Sequence, residues 1–430
     1  MSWYGELPER WESHKVSEIF TERREKVSDT EFAPLSVSKG GVVPQIATVA
    51  KSNAGDNRKL VRKGDFAINS RSDRRGSSGV SQYDGSISLI NIVLTPRNEM
   101  STKYWNYLLK SHKFIEEYYR NGRGIVADLW TTRYDEMKMI YLPVPPRGEQ
   151  DQIVCYLDWK MSQINKLINA KKRQIALLQE QRRVLVNKVV TQGIASTKLM
   201  DSGFSWLGKI PVNWHIRTFS KVANVRSNLV PPTDFMDLPQ VSPANIEKNT
   251  GKLLQCRSVR DSGIISGNHR FYQGQIIYSK VRPMLNKVTI APFDGLCSAD
   301  MYPIETSLHT KFLFYYMLSE MFLSQLTMTG NRVKMPKINQ DELSSILVLC
   351  PPIEEQETIV AYLESKTCEI DTLIGVIVRE IDVISEYRTR LISDVVIGKM
   401  DVRSVVVPNY EIVQVVENDC TADVEESEDL

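Results

Sequence analysis

Pro145-Pro146-Arg147-Gly148-Glu149-Gln150-Asp151-Gln152-Ile153-Val154-Cys155-Tyr156-Leu157 returns 206 residues later as Pro351-Pro352-Ile353-Glu354-Glu355-Gln356-Glu357-Thr358-Ile359-Val360-Ala361-Tyr362-Leu363. Each double proline opens onto a stretch that reads as helix. The 44 residues from Glu149 to Gln192 contain neither Pro nor Gly, so one helix of roughly 66 Å is allowed at about 1.5 Å per residue. A seven-residue register runs along it, with Leu157, Ile164, Leu178 and Leu185 on one seam and Met161, Ile168, Ile175 and Val189 three places away; Lys171 and Arg182 interrupt it. The copy carries the same stripe in Leu363, Ile370, Ile377, Ile384 and Leu391 with Ile374, Ile381 and Val395, interrupted by Thr367 and Arg388. So narrow a stripe calls for a partner helix of similar length, and the chain contains one in its own repeat. Because a globular stretch separates the two, antiparallel pairing is expected. Gly375 is a candidate kink. The simpler alternative is that each helix lies only on its own globular domain.

Working outward, the entry Trp3, Gly5, Leu7, Pro8, Trp11 returns as Trp206, Gly208, Ile210, Pro211, Trp214 at a shift of 203. Asp84, Gly85 and Ser88 return as Asp294, Gly295 and Ser298 at 210, and Lys103, Phe114 and Gly122 as Lys311, Phe322 and Gly330 at 208. The chain is therefore two copies of about 205 residues with small insertions inside each, too few for a solenoid. Before each double proline, β-type runs (Asp65 to Ile68, Ile87 to Leu94, Gln275 to Tyr278, Lys287 to Ala291) are bounded by turn residues. One helical pattern interrupts each set, Thr102 to Tyr119 and Ser307 to Leu326, with core aromatics at helical spacing. Each copy thus predicts an α+β domain followed by a long helix. The division is 1–144 for the first domain, 145–195 for the first helix, 196–350 for the second domain, 351–402 for the second helix and 403–430 for a tail.

With 430 residues, 42% hydrophobic and 25% charged, the composition is that of an ordinary globular protein of several domains. No apolar run approaches the roughly 18 residues of a membrane span, and the amino end lacks a secretory layout, so a cytoplasmic location is expected. The six cysteines lie far apart with no Cys-x-x-Cys pair, suggesting neither disulfide framework nor zinc cluster. The net charge of +2 hides a split: eight acids and no Lys or Arg follow Arg403, leaving +10 on residues 1–403. A solvated, mobile acidic tail is expected on a basic body that suits a nucleic acid.

The duplicated Trp3-Tyr4-Gly5-Glu6-Leu7-Pro8 and Trp206-Leu207-Gly208-Lys209-Ile210-Pro211 entries, the two Pro-Pro and Glu-Gln helix starts, and Tyr387-Arg388-Thr389-Arg390-Leu391-Ile392-Ser393 carry a resemblance. Over residues 3 to 403 the chain resembles the specificity subunit of type I restriction-modification systems. The resemblance implies two similar α+β target recognition domains joined by two long helices that form an antiparallel coiled coil, in a pseudo-two-fold arrangement. It also implies a non-catalytic chain: each domain reads one half of a bipartite double-stranded DNA target, and the helices set the gap and dock two modification (methyltransferase) subunits. S-adenosylmethionine, ATP and Mg belong, on this reading, to the modification and restriction (motor/endonuclease) partners, with no cofactor in this chain. One departure is that Gly64-Asp65 becomes Gly274-Gln275 in the second copy.

The densest basic stretch, Lys51 to Arg75, has eight cations against three acids. Within it, Arg71, Arg74 and Arg75 precede Ser77 and Ser78 in a Gly/Ser loop that suits close approach to phosphate. Lys280, Arg282 and Lys287 occupy the comparable place in the second copy, with Pro283 stiffening the turn. A second set precedes each long helix: Asn121, Arg123, Thr131, Thr132 and Arg133 in one copy, Asn331, Arg332, Lys334 and Lys337 in the other. Arg forks suit guanine edges, Asn suits adenine, and Thr or Ser suit bases or phosphate. The divergence of these sets between copies predicts different half-sites.

Enzymatic readings find less support. Val230-Pro231-Pro232-Thr233 only superficially resembles an adenine-methyltransferase motif, and the phosphate-loop spacing of Gly203 to Lys209 ends in Ile210 where Ser or Thr is needed. The five histidines form no metal-ligand pattern. A self-contained DNA-modifying or DNA-cleaving enzyme is the alternative. Glu149 and Glu355 read as helix-start charges rather than catalytic acids.

Overall fold

A computed structural model describes residues 2–45, 57–97, 100–124, 130–194, 198–329 and 337–416. The chain forms two units, residues 2–171 with 378–416, and residues 172–377. No helix among the described residues is long and apolar enough to cross a membrane.

The first unit is built on a four-stranded antiparallel sheet in the order Phe20–Glu22, Asn91–Pro96, Phe66–Asn69, Ser78–Val80. Alternation along the strand sorts its side chains to two faces. Phe66 and Ile68 enter a large core with Trp105, Leu108, Phe114 and Tyr118, while Ala67 faces a smaller core with Leu35, Val42 and Ile87. The second unit repeats the sheet with Ala223–Val225, Met301–Thr306, Ile276–Ser279 and Val288–Ile290. There Ile276 and Tyr278 face the helices, and Ile277 the smaller core. Phe66 pairs with Leu94, and Ile276 with Ile304, so both strands keep the same register at a shift of 210. The copies part in the accessory layer, a three-stranded sheet plus a hairpin in one and a five-stranded sheet in the other.

The single helical pattern expected in each domain is two helices. Thr102–Leu109 and His112–Arg120 are separated at Ser111, and Thr310–Leu318 and Glu320–Thr329 at Ser319. Each serine hydroxyl donates to the carbonyl three residues back, Leu108 or Tyr316, and accepts from the amide three residues ahead, Phe114 or Phe322. A side chain that bonds its own backbone in this way ends one helix and caps the next.

The long helices span Arg147–Gln192 and Ile353–Val396. The first starts two residues earlier than its uninterrupted run suggested and takes in Gly148, which sits in a first turn where amides have no intrahelical partner in any case. The second continues through Gly375. Gln150 and Gln356 close the starts, each side-chain amide donating to the carbonyl of the first proline, Pro145 at 2.9 Å and Pro351 at 2.8 Å.

In the first unit Met161, Ile164 and Ile168 share a core with Leu391 and Val395, and Lys171 Nζ pairs with Glu380 Oε2 at 2.7 Å. In the second unit Val189 and Leu185 pack with Leu363, and Arg182 Nε stands 3.4 Å from Asp371 Oδ1. Partners fall in number on one helix as they rise on the other, so the pairing is antiparallel, as the stripe predicted. All sixteen seam residues are buried or half-buried. The simpler alternative holds in part: Ile153, Val154 and Leu157 enter the first domain's core, and Val186, Val189 and Val190 the second's.

The duplicated entry motif seats a helix end. Gly193 and Gly398 follow the two helices, both left-handed at φ 76°. A Cβ at Gly398 would lie 2.6 Å from Pro8 and 3.2 Å from Trp11, and one at Gly193 would lie 3.5 Å from Trp214 and 3.2 Å from Glu355 Oε1. Glycine is needed at both ends for its backbone angle, and at Gly398 also for the close approach of Pro8 and the Trp11 indole.

The tail departs from its expected mobility in the part that is described. Gln152 Nε2 donates to the carbonyls of Val402 and Val405. Ser162 Oγ donates to Glu411 O at 2.5 Å and accepts from Val413 N at 3.0 Å. Asn165 and Asn169 donate to the carbonyls of Val413 and Gln414. Residues 162, 165 and 169 share one helix face, and Val405, Val407 and Val415 are half-buried in the first unit's core. Tail residues 417–430 lie outside the described residues.

Candidate nucleic-acid interface

In the first unit the sheet strand Phe66–Asn69 runs out into a turn containing the 3-10 segment Ser72–Arg74, passes the left-handed Gly76 (φ 82°) and returns as Ser78–Val80. The second expected cluster is stitched to this turn. Ser72 N donates to Trp130 O at 3.1 Å, Thr132 N to Ser70 O at 2.9 Å, and Arg71 forms a bridge with Thr131, which bridges Arg123 in turn. Residues about 60 positions apart therefore form one basic surface.

Exposure sorts its members. Arg74 and Arg123 are 71% and 84% exposed, with only loose acidic neighbours, Asp73 at 3.9 Å and Glu136 at 3.5 Å. Arg71 and Arg133 are also exposed, and Thr131 is half-buried. Arg75 is held by Glu116 at 2.5 Å and lies 5.5 Å over the Tyr119 ring, beside a cleft also lined by Trp3, His112, Lys113 and Trp130. Ser77, Ser78 and Thr132 are buried, which corrects the expectation that they present hydroxyls to a ligand. The two serines flank the start of the return strand, and Thr132 Oγ1 donates to Tyr118 O.

The basic stretch also shrinks in the fold. Arg58 is buried, donating to Ser86 and to the Leu35 carbonyl, and burial pushes its guanidinium pKa down. Lys59 bonds Glu22 and the Asn91 carbonyl. Lys51 lies outside the described residues.

The second unit repeats the plan. Ile276–Ser279 leads through Lys280 and Arg282 into the 3-10 segment Pro283–Leu285, past the left-handed Asn286 (φ 46°) and back along Val288–Ile290. Ile338 N donates to Lys280 O at 2.9 Å, and Val281 bridges Lys337. This is the Arg71–Thr131 bridge over again, at shifts of 210 and 206. Lys280 is spoken for: its Nζ donates to Ala299 O at 2.7 Å and stands 5.4 Å over the Tyr302 ring. Lys287 donates to Pro243 O. Arg282 is exposed at the turn, and half-exposed Lys337 leans on Asp300 at 3.1 Å. Asn331, Arg332 and Lys334 lie outside the described residues.

Sequence reasoning missed Trp130 and Asn286. Trp130 lends its carbonyl to the first turn, and Asn286 holds the position that is Gly76 in the first copy. An Asn aligned with a Gly was the available signal, since both residues tolerate the left-handed region. Among the described residues no group of three or more His, Cys, Asp or Glu could hold a metal.

The structure is thus that of a tandem protein whose two domains present the same bridged basic turn. Comparison with known proteins gives the family. Residues 211–373 match the family model described as the type I restriction modification DNA specificity domain. The chain is 30% identical over 393 residues to the type I restriction enzyme EcoDI specificity subunit of Escherichia coli, covering 86% of this chain and 84% of the relative. It is 23% identical over 344 residues to the type I restriction enzyme MjaVIII specificity subunit of Methanocaldococcus jannaschii, covering 74% of this chain and 75% of the relative. A chain from a solved structure on complex assembly and conformational transition of the type I R-M system shares the fold. Its TM-score is 0.62 at 15% identity, covering 92% of this chain and all of that one. The protein belongs to the specificity subunits of type I restriction-modification systems.

Proposed function

We propose that the chain is the non-catalytic DNA-reading subunit of its complex, each domain contacting one half of a bipartite duplex target through the turn after its third sheet strand. The carrying observation is the duplicated construction: a strand end, a 3-10 turn, a left-handed residue and a bridge to the segment before the long helix, with exposed Arg71, Arg74, Arg123 and Arg133 in one copy and Arg282 and Lys337 in the other. Exposed guanidinium groups on a surface pinned by backbone bonds suit phosphate and guanine edges, because their forks can pair bidentately and no further backbone freedom is lost on contact. The paired helices, stiff over some tens of ångströms, set the interval between half-sites and dock two modification subunits. S-adenosylmethionine, ATP and Mg act in the modification and restriction partners. The test is to map methylated positions in a host carrying the chain with its modification partner. Methylation of one split sequence that disappears when this chain is deleted supports the reading; methylation that persists without it, or modification by the purified chain alone, overturns it.

A further inference from the structure

Arg182 is one of two cations that interrupt the apolar seam of the first long helix, and 12% of its side chain is exposed. Its guanidinium meets two separate parts of the second unit. Nε stands 3.4 Å from Asp371 Oδ1 on the second long helix, an ion pair without a hydrogen bond, and Nη2 donates to the Thr250 carbonyl at 3.2 Å. Thr250 is flanked by Asn249 (φ 61°) and Gly251 (φ 78°), both left-handed. Asn249 N donates to the Asn286 carbonyl at 3.3 Å, and Thr289 Oγ1 donates to the Gly251 carbonyl at 2.9 Å. Loop 249–251 is therefore bonded at two points to the hairpin that carries the reading turn of the second domain.

That turn is held in an uncommon conformation. Arg282 (φ 48°) and Asn286 (φ 46°) are both left-handed without being glycine, a state that asparagine tolerates but that strains an arginine unless the surroundings impose it. The Asn286 side chain is fully buried, yet neither of its amide atoms has a hydrogen-bond partner among the described residues. The Asn286 side chain therefore does not hold the turn; beside the turn's own bonds, Leu285 N to Arg282 O at 2.9 Å and Asn286 N to Pro283 O at 3.0 Å, its far end is tied from outside by the bond from Asn249 N of loop 249–251 to the Asn286 carbonyl. In the first unit the matching left-handed position is Gly76 (φ 82°), which adopts that angle without strain.

We infer that Arg182 is a positioning residue for DNA reading: anchored beside Asp371, it holds loop 249–251, and the loop holds the Arg282–Asn286 turn in the form that meets DNA. The helix pair then governs the shape of the second reading surface as well as the interval. This rests on the reading of the turns as DNA contacts.

The test uses the full chain in complex with its modification partner. Once the target is mapped, binding is measured on the intact duplex and on duplexes with either half scrambled. Arg282→Ala and Arg74→Ala mark the half read by each domain. For Arg182→Ala, binding to the intact target is expected to weaken about tenfold, the scale of one hydrogen bond to a charged group. The loss should vanish when the half marked by Arg282→Ala is scrambled. Arg182→Lys, whose ammonium cannot span both partners, should fall between. Hydrogen exchange should rise at 249–251 and 282–287 while the seam around Ile370 stays protected. Equal loss at both halves, loss confined to the half marked by Arg74→Ala, no loss, or seam exchange rising as much as turn exchange would each overturn the inference. If the unsubstituted complex does not prefer the mapped target to the doubly scrambled duplex, it is the DNA-reading proposal that fails.

Discussion

In the first domain Asp65 is buried in the turn before the third sheet strand. It accepts from Arg23 Nε at 2.8 Å, Arg62 N at 2.9 Å and Thr95 Oγ1 at 2.8 Å. At the same place in the second domain stands Gln275, whose Oε1 accepts from Tyr272 N at 2.9 Å and whose Nε2 donates to Glu305 Oε1 at 2.7 Å. Glu305 in turn takes Arg226 Nε at 2.7 Å. Thr95 and Glu305 are matching positions at a shift of 210. The carboxylate has moved from the turn to the neighbouring strand, and the arginine and the turn-capping bond have stayed. The loss of Asp65 from the second copy, seen in sequence, is thus no loss of the interaction. A duplicated fold keeps a pairing while exchanging which position supplies the charge.

The two versions differ in depth: Asp65 is 3% exposed, and Glu305 is 45% exposed. The largest expected effect comes from this difference. Asp65→Ala should cost the first unit about 3 kcal/mol, because a buried carboxylate partner is removed from Arg23. Glu305→Ala should cost the second about 1 kcal/mol, because its ion-pair partner Arg226 reaches solvent and only the hydrogen bond from buried Gln275 is lost at depth. Hydrogen exchange resolved by peptide would measure each unit separately, and the double substitution Asp65→Gln with Thr95→Glu should recover much of the first loss. Equal costs would break the comparison.

The helix-end glycines give the next effect. Gly398→Ala meets both a positive φ and the Pro8 ring, for about 2 kcal/mol, whereas Gly193→Ala meets a positive φ and a movable Glu355 side chain, for about 1 kcal/mol. Denaturant unfolding monitored through Trp11 and Trp214 would show the order. On the proposed reading, removing one exposed turn cation should have a smaller effect still. Arg74→Ala and Arg282→Ala should each lower the salt slope of DNA binding by about one and weaken only one half-site.

The smallest effect concerns pH. His14 is held above its usual pKa by its hydrogen bond to Glu12, with Glu18 assisting. Its contribution to stability is full below about pH 6.5 and is lost as pH rises through the raised value, a few tenths of a kcal/mol for so exposed a group. At the matching position the second copy has Arg217, which keeps its charge. Melting at pH 5.5 and 8 should show the first unit alone losing this increment, and His14→Ala should abolish the difference.

Much of the fold was legible from periodicity. The seam residues from Leu157 to Val189 and from Leu363 to Val395 announced long paired helices, because a heptad stripe has few other uses. The core strands 66–69 and 276–279 were read nearly to the residue. The breaks at Ser111 and Ser319 were not, since a serine inside an apolar pattern gives no sign of which backbone groups its hydroxyl bonds. The near part of the tail, up to residue 416, was misread because acidity suggested solvation, whereas its backbone is bonded by Gln152, Ser162, Asn165 and Asn169, residues that read as an ordinary polar helix face; seven of the eight acids lie outside the described residues. At the candidate site the residue types were visible but their availability was not. Arg74 and Arg282 are exposed, while Ser78, Thr132, Lys280 and Lys287 are occupied or buried.

The amino-acid order alone determined the duplication, the α+β domains and the antiparallel helices, because repeats, period two and period seven are local patterns that burial enforces wherever they occur. Only the tertiary structure decided which cations remain exposed, where the Asp65 carboxylate went in the second copy, and that Arg182 touches the loop behind the Arg282–Asn286 turn. Those outcomes depend on contacts between segments tens to hundreds of residues apart, and the free energy of a polar side chain is set by the partners it meets there.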